Sequence, residues 1–233
     1  MVGMATIASR ILSLPQRIPP LQNGDCLTRE EFERRFDATP NLKKAELIEG
    51  VVYLPPPVSV EHGQPHFDLI TFLGIYAANT PGVRGAGDCS VRMGPKNMPQ
   101  PDVFLIIPRG GKTRISKDKY VEGPPELIAE VAASSASYDL HVKMDLYQRQ
   151  GVQEYIVWRV FEQEIDWFVL SKNKFKLLFP DSGGIFRSQI FPGLWLDAPA
   201  LLRGDFATVM KVLKRGLRTK QHRDFVRKLQ ANR

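Results

Sequence analysis

The sequence predicts an α/β fold with a basic helical tail, on three observations. Apolar runs of strand length, bounded by Pro, Gly and Ser, alternate with segments whose apolar residues recur at helical spacing. At 233 residues, 43% hydrophobic and 24% charged, the chain can bury one sizeable core as a single domain with appendages. The formal net charge of +7 sits at one end: from Asp205 to Arg233 nine basic residues face two acidic ones, and the body up to Gly204 is balanced.

The chain divides into a leader over 1–26, a domain over 27–204 and the basic tail over 205–233. Met1 to Gly24 carries Arg10 and Arg17 with no acidic residue. Its apolar part is broken by Ser9, Arg10 and later prolines, which favours a disordered leader over a targeting peptide. No apolar run approaches the roughly 18 to 20 residues that span a bilayer. Cys26 and Cys89 stand far apart without companion ligands, so a disulfide framework and a structural zinc site are both unsupported and a reducing cytoplasm fits.

The domain begins with Thr28 and Glu31 as a capping box, opening a short helix to about Phe36. Ala45 to Leu54 reads as two strands about a Glu49-Gly50 turn, stopped by Pro55-Pro56-Pro57, with Glu46 just inside the first. Val60 to Asn79 is a helix with Phe67, Ile70, Leu73, Ile75 and Ala77 as its packing residues, and His62 and His66 share a face at its start. Val83 to Met93 reads as one strand bent at Gly85 and Gly87. Pro101 and Asp102 open the next, through Ile107, and Arg109 to Glu122 is a charged loop.

Leu127 to Ala133 is a buried strand that holds Glu130 in apolar company. A carboxylate taken out of water costs several kcal/mol as an order of magnitude unless it is hydrogen-bonded, paired, protonated or bound to a cation. Ser135 to Gln150 follows as a helix stopped by Gly151, on which Asp139, Lys143 and Tyr147 lie four apart on one face. Glu154 to Val160 is a strand, Gln163 to Phe179 a hairpin about Lys172-Asn173, and Arg187 to Leu196 short sheet pieces. Beyond Asp205 the residues Phe206, Val209, Met210, Leu213 and Leu217 recur at helical spacing.

Glu46, Asp102, Glu130 and Lys143 form the one constellation with a chemistry. Hard divalent cations favour such oxygen donors. A magnesium ion so held can bind a phosphate oxygen and acidify water, and a nearby lysine can orient that water or stabilise developing negative charge. Taken singly, Asp102 reads as a strand cap, Lys143 as the helical partner of Asp139, Glu46 and His62 as surface residues and Tyr147 as packing.

At these residues the chain resembles the PD-(D/E)XK nuclease superfamily and, within it, the Uma-type family of restriction endonucleases. Pro101-Asp102 looks like the PD element. Glu130-Val131-Ala132 looks like (D/E)XK with alanine at the lysine position, and the series Glu130, Val131, Ser134, Asp139, Lys143, Tyr147, Gly151, Val152, Glu154, Tyr155 matches the pattern in which the next helix supplies the lysine. Glu46 in ELIEG and His62 match the N-terminal signature, and the resemblance runs from about Leu27 to Leu202.

The resemblance implies a restriction-endonuclease-like central mixed β-sheet flanked by helices, a Mg2+ or Mn2+ site and cleavage of DNA. Asp102 and Glu130 would bind the metal, Glu46 would assist metal or water, and Lys143 would activate water or stabilise the transition state. His62 and Tyr147 are candidate substrate contacts, and a homodimer stays open. In the tail, Lys211, Lys214, Arg215, Arg218, Lys220, Arg223, Arg227 and Lys228 are candidate phosphate contacts. The tail's other reading is an amphipathic helix docked on the body or on another copy. Two other functions remain: a catalytically silent nuclease-fold module binding nucleic acid or protein, and a metal-dependent hydrolase of another phosphoester.

Overall fold

The computed structural model describes residues 18–133 and 138–231. Most of the predicted leader, and the start of the helix predicted from Ser135, lie outside them.

Thr28 accepts a hydrogen bond from the Glu31 amide and caps α1, Arg29–Asp37. The Glu31 carboxylate is engaged by Arg34 and Arg35. β1, Glu46–Ile48, and β2, Val51–Tyr53, form the expected hairpin, with Glu49 and Gly50 both at positive φ in its turn. α2 runs Val60–Ala78.

β3, Arg84–Gly87, and β4, Val91–Arg92, replace the single strand expected over Val83 to Met93. Asp88, at positive φ, turns the chain between them, so β3 joins the main sheet and β4 a smaller one. β5 is Val103–Ile106. The expected loop from Arg109 to Glu122 contains β6, Arg114–Ile115, and β7, Val121–Glu122, which pair with each other and, through β7, with β4. Two-residue strands hold their shape only through such pairing, which a charged sequence does not announce.

β8 is Leu127–Ala132. A π-helical turn, Tyr138–Lys143, leads into α3, Met144–Gln150, which ends at Gly151 in the left-handed conformation. β9 is Glu154–Arg159, and β10, Glu164–Ser171, and β11, Lys174–Leu177, form a hairpin about Lys172 and Asn173, both at positive φ. β12, Ile185–Arg187, pairs with β13, Trp195–Asp197, before α4, Ala198–Leu202, α5, Phe206–Leu217, and α6, Lys220–Ala231.

The central sheet has the order β11-β10-β9-β8-β5-β3. β8 and β9 are parallel and every other pair is antiparallel, so the sheet is mixed. Because strand side chains alternate, Leu127, Ala129 and Val131 enter the larger core under α2, whereas Ile128 and Ala132 enter the core on the opposite face with Leu146 and Tyr147 of α3. Glu130 shares that second face and so points at the π-turn and α3.

The packing face of α2 is Leu69, Phe72, Leu73 and Tyr76; of the expected residues Leu73 is buried, Ile75 and Ala77 pack partly buried against the same core, and Phe67 and Ile70 are exposed. The buried set keeps the i, i+3, i+4, i+7 spacing of one helical stripe, which the predicted set does not. The C-terminal helices lie over the same core, to which Val209, Leu213 and Leu229 belong. Gly216 lets α5 approach so closely that a Cβ there would stand 2.2 Å from the Gly193 carbonyl oxygen. His222 contacts Thr80 Oγ1 at 3.0 Å, just past the C-terminus of α2. Among the described residues no helix is long and apolar enough to cross a membrane.

Candidate active site

A cleft of about 410 Å³ opens at the end of the central sheet where β8 finishes and β5 begins. Glu46 of β1, Asp102 before β5, Glu130 of β8, His62 of α2 and Lys143 of the π-turn all line it, with Lys44 and Asp139. Residues remote in sequence meet here because β5 and β8 are antiparallel neighbours, which sets the start of one beside the end of the other.

The two strands are laced by their own acids. Asp102 Oδ2 accepts from the Val131 amide at 2.8 Å, and Glu130 Oε2 accepts from the Asp102 amide at 3.1 Å. Tyr147 donates its hydroxyl to Glu130 Oε1 at 2.8 Å, and Glu46 Oε1 accepts from the Gln100 amide at 2.8 Å. These bonds fix each carboxylate and leave further lone pairs on the oxygens.

Lys143 is buried, with Nζ at 3.0 Å from Glu130 Oε1, 3.2 Å from Glu46 Oε1 and 3.6 Å from Asp139 Oδ1. Ala132, where the superfamily pattern has lysine, is itself fully buried in the second core, and the amine arrives from the following helical turn instead. His62 Nε2 lies 3.3 Å from Asp102 Oδ2, and His62 Nδ1 is buried without a hydrogen-bond partner among the described residues.

One charged group of the cleft, Lys44, is not among the residues the sequence singles out. Lys44 Nζ lies 3.3 Å from Asp102 Oδ1 and 3.5 Å from Asp88 Oδ1, while Asp139, expected as the helical partner of Lys143, does stand beside it. A period-2 reading of the extended segment before β1 would have put Lys44 on the same side as Glu46.

Burial pushes the Glu130 carboxyl up, to about 8, because Lys143 only partly offsets desolvation and the charges of Asp102, Asp139 and Glu46. For Asp102 burial acts in the same direction, but the His62 hydrogen bond, Lys44, Lys143 and the Val131 amide outweigh it and hold the group below the usual carboxylate range. Burial opposes the charge on Lys143, yet Glu130, Glu46, Asp139 and Asp102 together keep its pKa well above the ordinary lysine value.

Four lining carboxylates against two ammonium groups leave an acidic surplus in a largely buried site. That donor set fits a hard divalent cation. The carboxylates do not all fall into one tight group: among the described residues, the ligand atoms that lie within 4.8 Å of one another belong to His66, Asp88 and Asp102. His66 Nε2 lies 2.9 Å from the Asp102 carbonyl oxygen, to which it donates, and Lys44 bridges Asp88 and Asp102. Asp102 is thus common to that triad and to the side of the cleft that holds Glu130 and Glu46.

The basic residues of α5 and α6 are exposed. They lie away from this cleft, since His62 near the start of α2 lines it whereas His222 of α6 touches Thr80 beyond the helix end. The 19 residues of α2 span about 28 Å at 1.5 Å per residue.

The Uma2 family, described as "Putative restriction endonuclease", matches the chain over residues 29–199. Among solved structures, a protein from Anabaena variabilis described as a "putative nuclease belonging to DUF820" is similar over 82% of this chain and 99% of its own, with a TM-score of 0.56 and 14% sequence identity. At that identity the likeness is one of fold. No curated protein matches the chain.

Proposed function

The chain belongs to the Uma2 family of restriction-endonuclease-like proteins, and on that premise we propose that it is a metal-dependent endonuclease that hydrolyses phosphodiester bonds in DNA. The observation that carries the reading is the buried Lys143 amine set among Glu130, Glu46 and Asp139 beside Asp102.

Asp102 and Glu130, assisted by Glu46, would hold Mg2+ or Mn2+. Such an ion neutralises phosphate charge and acidifies a water when bound. Tyr147 and the Asp102 amide keep the Glu130 carboxylate oriented, and the Val131 amide does the same for Asp102. Lys143, held protonated, orients the attacking water or stabilises negative charge on the reacting phosphate. His62, with Nε2 on Asp102, holds that carboxylate in the cleft and is the proposed substrate contact beside it.

The exposed basic faces of α5 and α6 would hold DNA phosphates away from the scissile bond, giving affinity without sequence preference. A reducing cytoplasm, where Cys26 and Cys89 stay as the free thiols seen here, is the proposed compartment.

The test is cleavage of mixed-sequence DNA with Mg2+ or Mn2+ by the purified protein and its Asp102→Ala and Glu130→Ala variants. Activity should require the metal and fall at least about a hundredfold in both variants, an effect of about 2.7 kcal/mol or more on the barrier. Equal cleavage by all three would assign the activity to a contaminant. A wild-type protein that binds DNA salt-sensitively but cleaves none would establish the silent module instead.

A further inference from the structure

The cleft has two unlike halves. Beside the charged groups the lining carries Tyr53, Leu54, Pro55, Pro56, Val58 and Tyr138. The β1–β2 register pairs Glu46 with Tyr53, so carboxylate and phenol leave the same face of the hairpin side by side. The rings of Tyr53 and Tyr138 stand 4.8 Å apart, tilted by 49°. Val58 is 63% exposed and the prolines are exposed with it, an apolar rim on an otherwise charged site.

The Tyr138 hydroxyl is buried in this wall and has no hydrogen-bond partner among the described residues. Leaving a buried hydroxyl unpaired is costly, so a ligand that supplies an acceptor there is favoured. Burial, with the charge of Glu46 beside it, keeps that phenol protonated and a donor at neutral pH. A cleft of about 410 Å³ has the size of a small-ligand pocket, enough for one nucleotide.

We propose that the Tyr53/Tyr138 wall is a nucleobase subsite beside the scissile phosphate, so that the cleft takes a single strand or a nucleotide drawn out of its stack and not intact paired DNA. The inference rests on the nuclease reading, because the carboxylate half must hold the phosphate that the base accompanies. Base faces stack on tyrosine and proline irrespective of sequence, and ring nitrogens and carbonyl oxygens on base edges can accept from Tyr138. Cutting next to an extracted base requires the unpairing energy to be met by that stacking.

The test uses the full chain with Ca2+ in place of Mg2+, to separate binding from cleavage, and four DNA probes of one sequence: a single strand carrying 2-aminopurine, its blunt duplex, a duplex mismatched at that base, and a single strand abasic at that site. The expected result is quenching of 2-aminopurine in the single strand, with about tenfold weaker binding by Tyr53→Ala. Binding of the abasic strand should not change in that variant, because its phosphate contacts remain, and this control also reports that the variant is folded. Tyr138→Phe, which keeps the ring, should weaken the intact strand by about threefold or more. If the mismatched duplex behaves like the single strand, the base is extracted from a duplex where its pairing is already lost; if only the single strand is quenched, a single strand is the substrate. Equal loss for intact and abasic strands in Tyr53→Ala, or a blunt duplex bound and quenched as well as the single strand, overturns the proposal. So does the absence of quenching by every probe, the result expected if the wall seats a protein segment. Cleavage of duplex with Mg2+ and no dependence on Tyr53 would keep the nuclease and remove the subsite, whereas base binding without any cleavage would do the reverse.

Discussion

Lys143 Nζ stands 3.0 Å from Glu130 Oε1 although thirteen residues separate them along the chain. Strand β8 ends after Glu130 with its side chain directed at the π-turn, and that turn returns Lys143 to the same face of the sheet. The amine is thus a partner shared by three carboxylates, and its removal acts on all of them.

Lys143→Met should therefore destabilise the metal-free protein by roughly 3 to 5 kcal/mol, because buried carboxylates lose their counter-charge. Saturating Mg2+ should recover part of that loss if the ion binds the same groups. Thermal melts with and without Mg2+ check both statements, and an unchanged melting temperature in the variant would remove the amine from the site.

Metal affinity should depend on pH. Ligands bind metal deprotonated, and the Glu130 proton is held to about 8 by burial. Apparent Mg2+ or Mn2+ affinity is expected to rise about tenfold per pH unit up to about 8 and then level off, with close to one proton released per ion at pH 7. Calorimetry in two buffers of different ionisation enthalpy measures that proton; binding without release contradicts Glu130 as a ligand.

Glu154 offers a separate pH effect away from the cleft. Burial raises its carboxyl from 4.5 to about 7 against the hydrogen bonds it accepts from Ser188 and the Gln189 and Ile190 amides. A raised folded-state pKa means the fold retains a proton that the unfolded chain has already lost. The stability it contributes is complete below about 4.5, declines as pH rises and is lost by about 7, a difference of roughly 3 kcal/mol. Against Glu154→Gln, wild-type stability should fall by that amount between pH 4.5 and 8 in denaturant titrations; parallel curves would refute it.

Two glycine substitutions should act in opposite directions. In Gly216→Ala the new methyl would meet the Gly193 carbonyl oxygen at 2.2 Å and Trp195 Cγ at 2.9 Å, so α5 must move, at a cost of about 1 to 3 kcal/mol. In Gly74→Ala, within α2, no heavy atom lies within 4 Å, and the helix should gain about 0.5 to 1 kcal/mol. Denaturant midpoints of the two variants test whether α5 docks through that contact.

The elements with their own chemistry were legible beforehand. The Thr28 cap, the Glu49-Gly50 and Lys172-Asn173 turns, the strand around Glu130 and the Gly151 stop each rest on residues a few positions apart, so local sequence suffices for them. On α2 the positions of Phe67 and Ile70, and the short strands β4, β6 and β7, depart from the expectation, since both depend on what packs opposite. Lys44 was missed for the same reason: it sits in irregular chain, and only Asp102 and Asp88, brought in by other segments, give its ammonium a partner.

The sequence by itself determined the α/β class, the family and which acids and which lysine to compare, because alternation, turn chemistry and an ordered series of residue types are properties of one chain read along its length. Tertiary structure decided where they meet. The antiparallel contact of β5 with β8 sets Asp102 beside Glu130, the β1–β2 register sets Tyr53 beside Glu46, and the docking of α6 beyond the end of α2 holds the basic helix away from the cleft. Distances across a fold follow from strand order and packing, and no spacing along the chain encodes them.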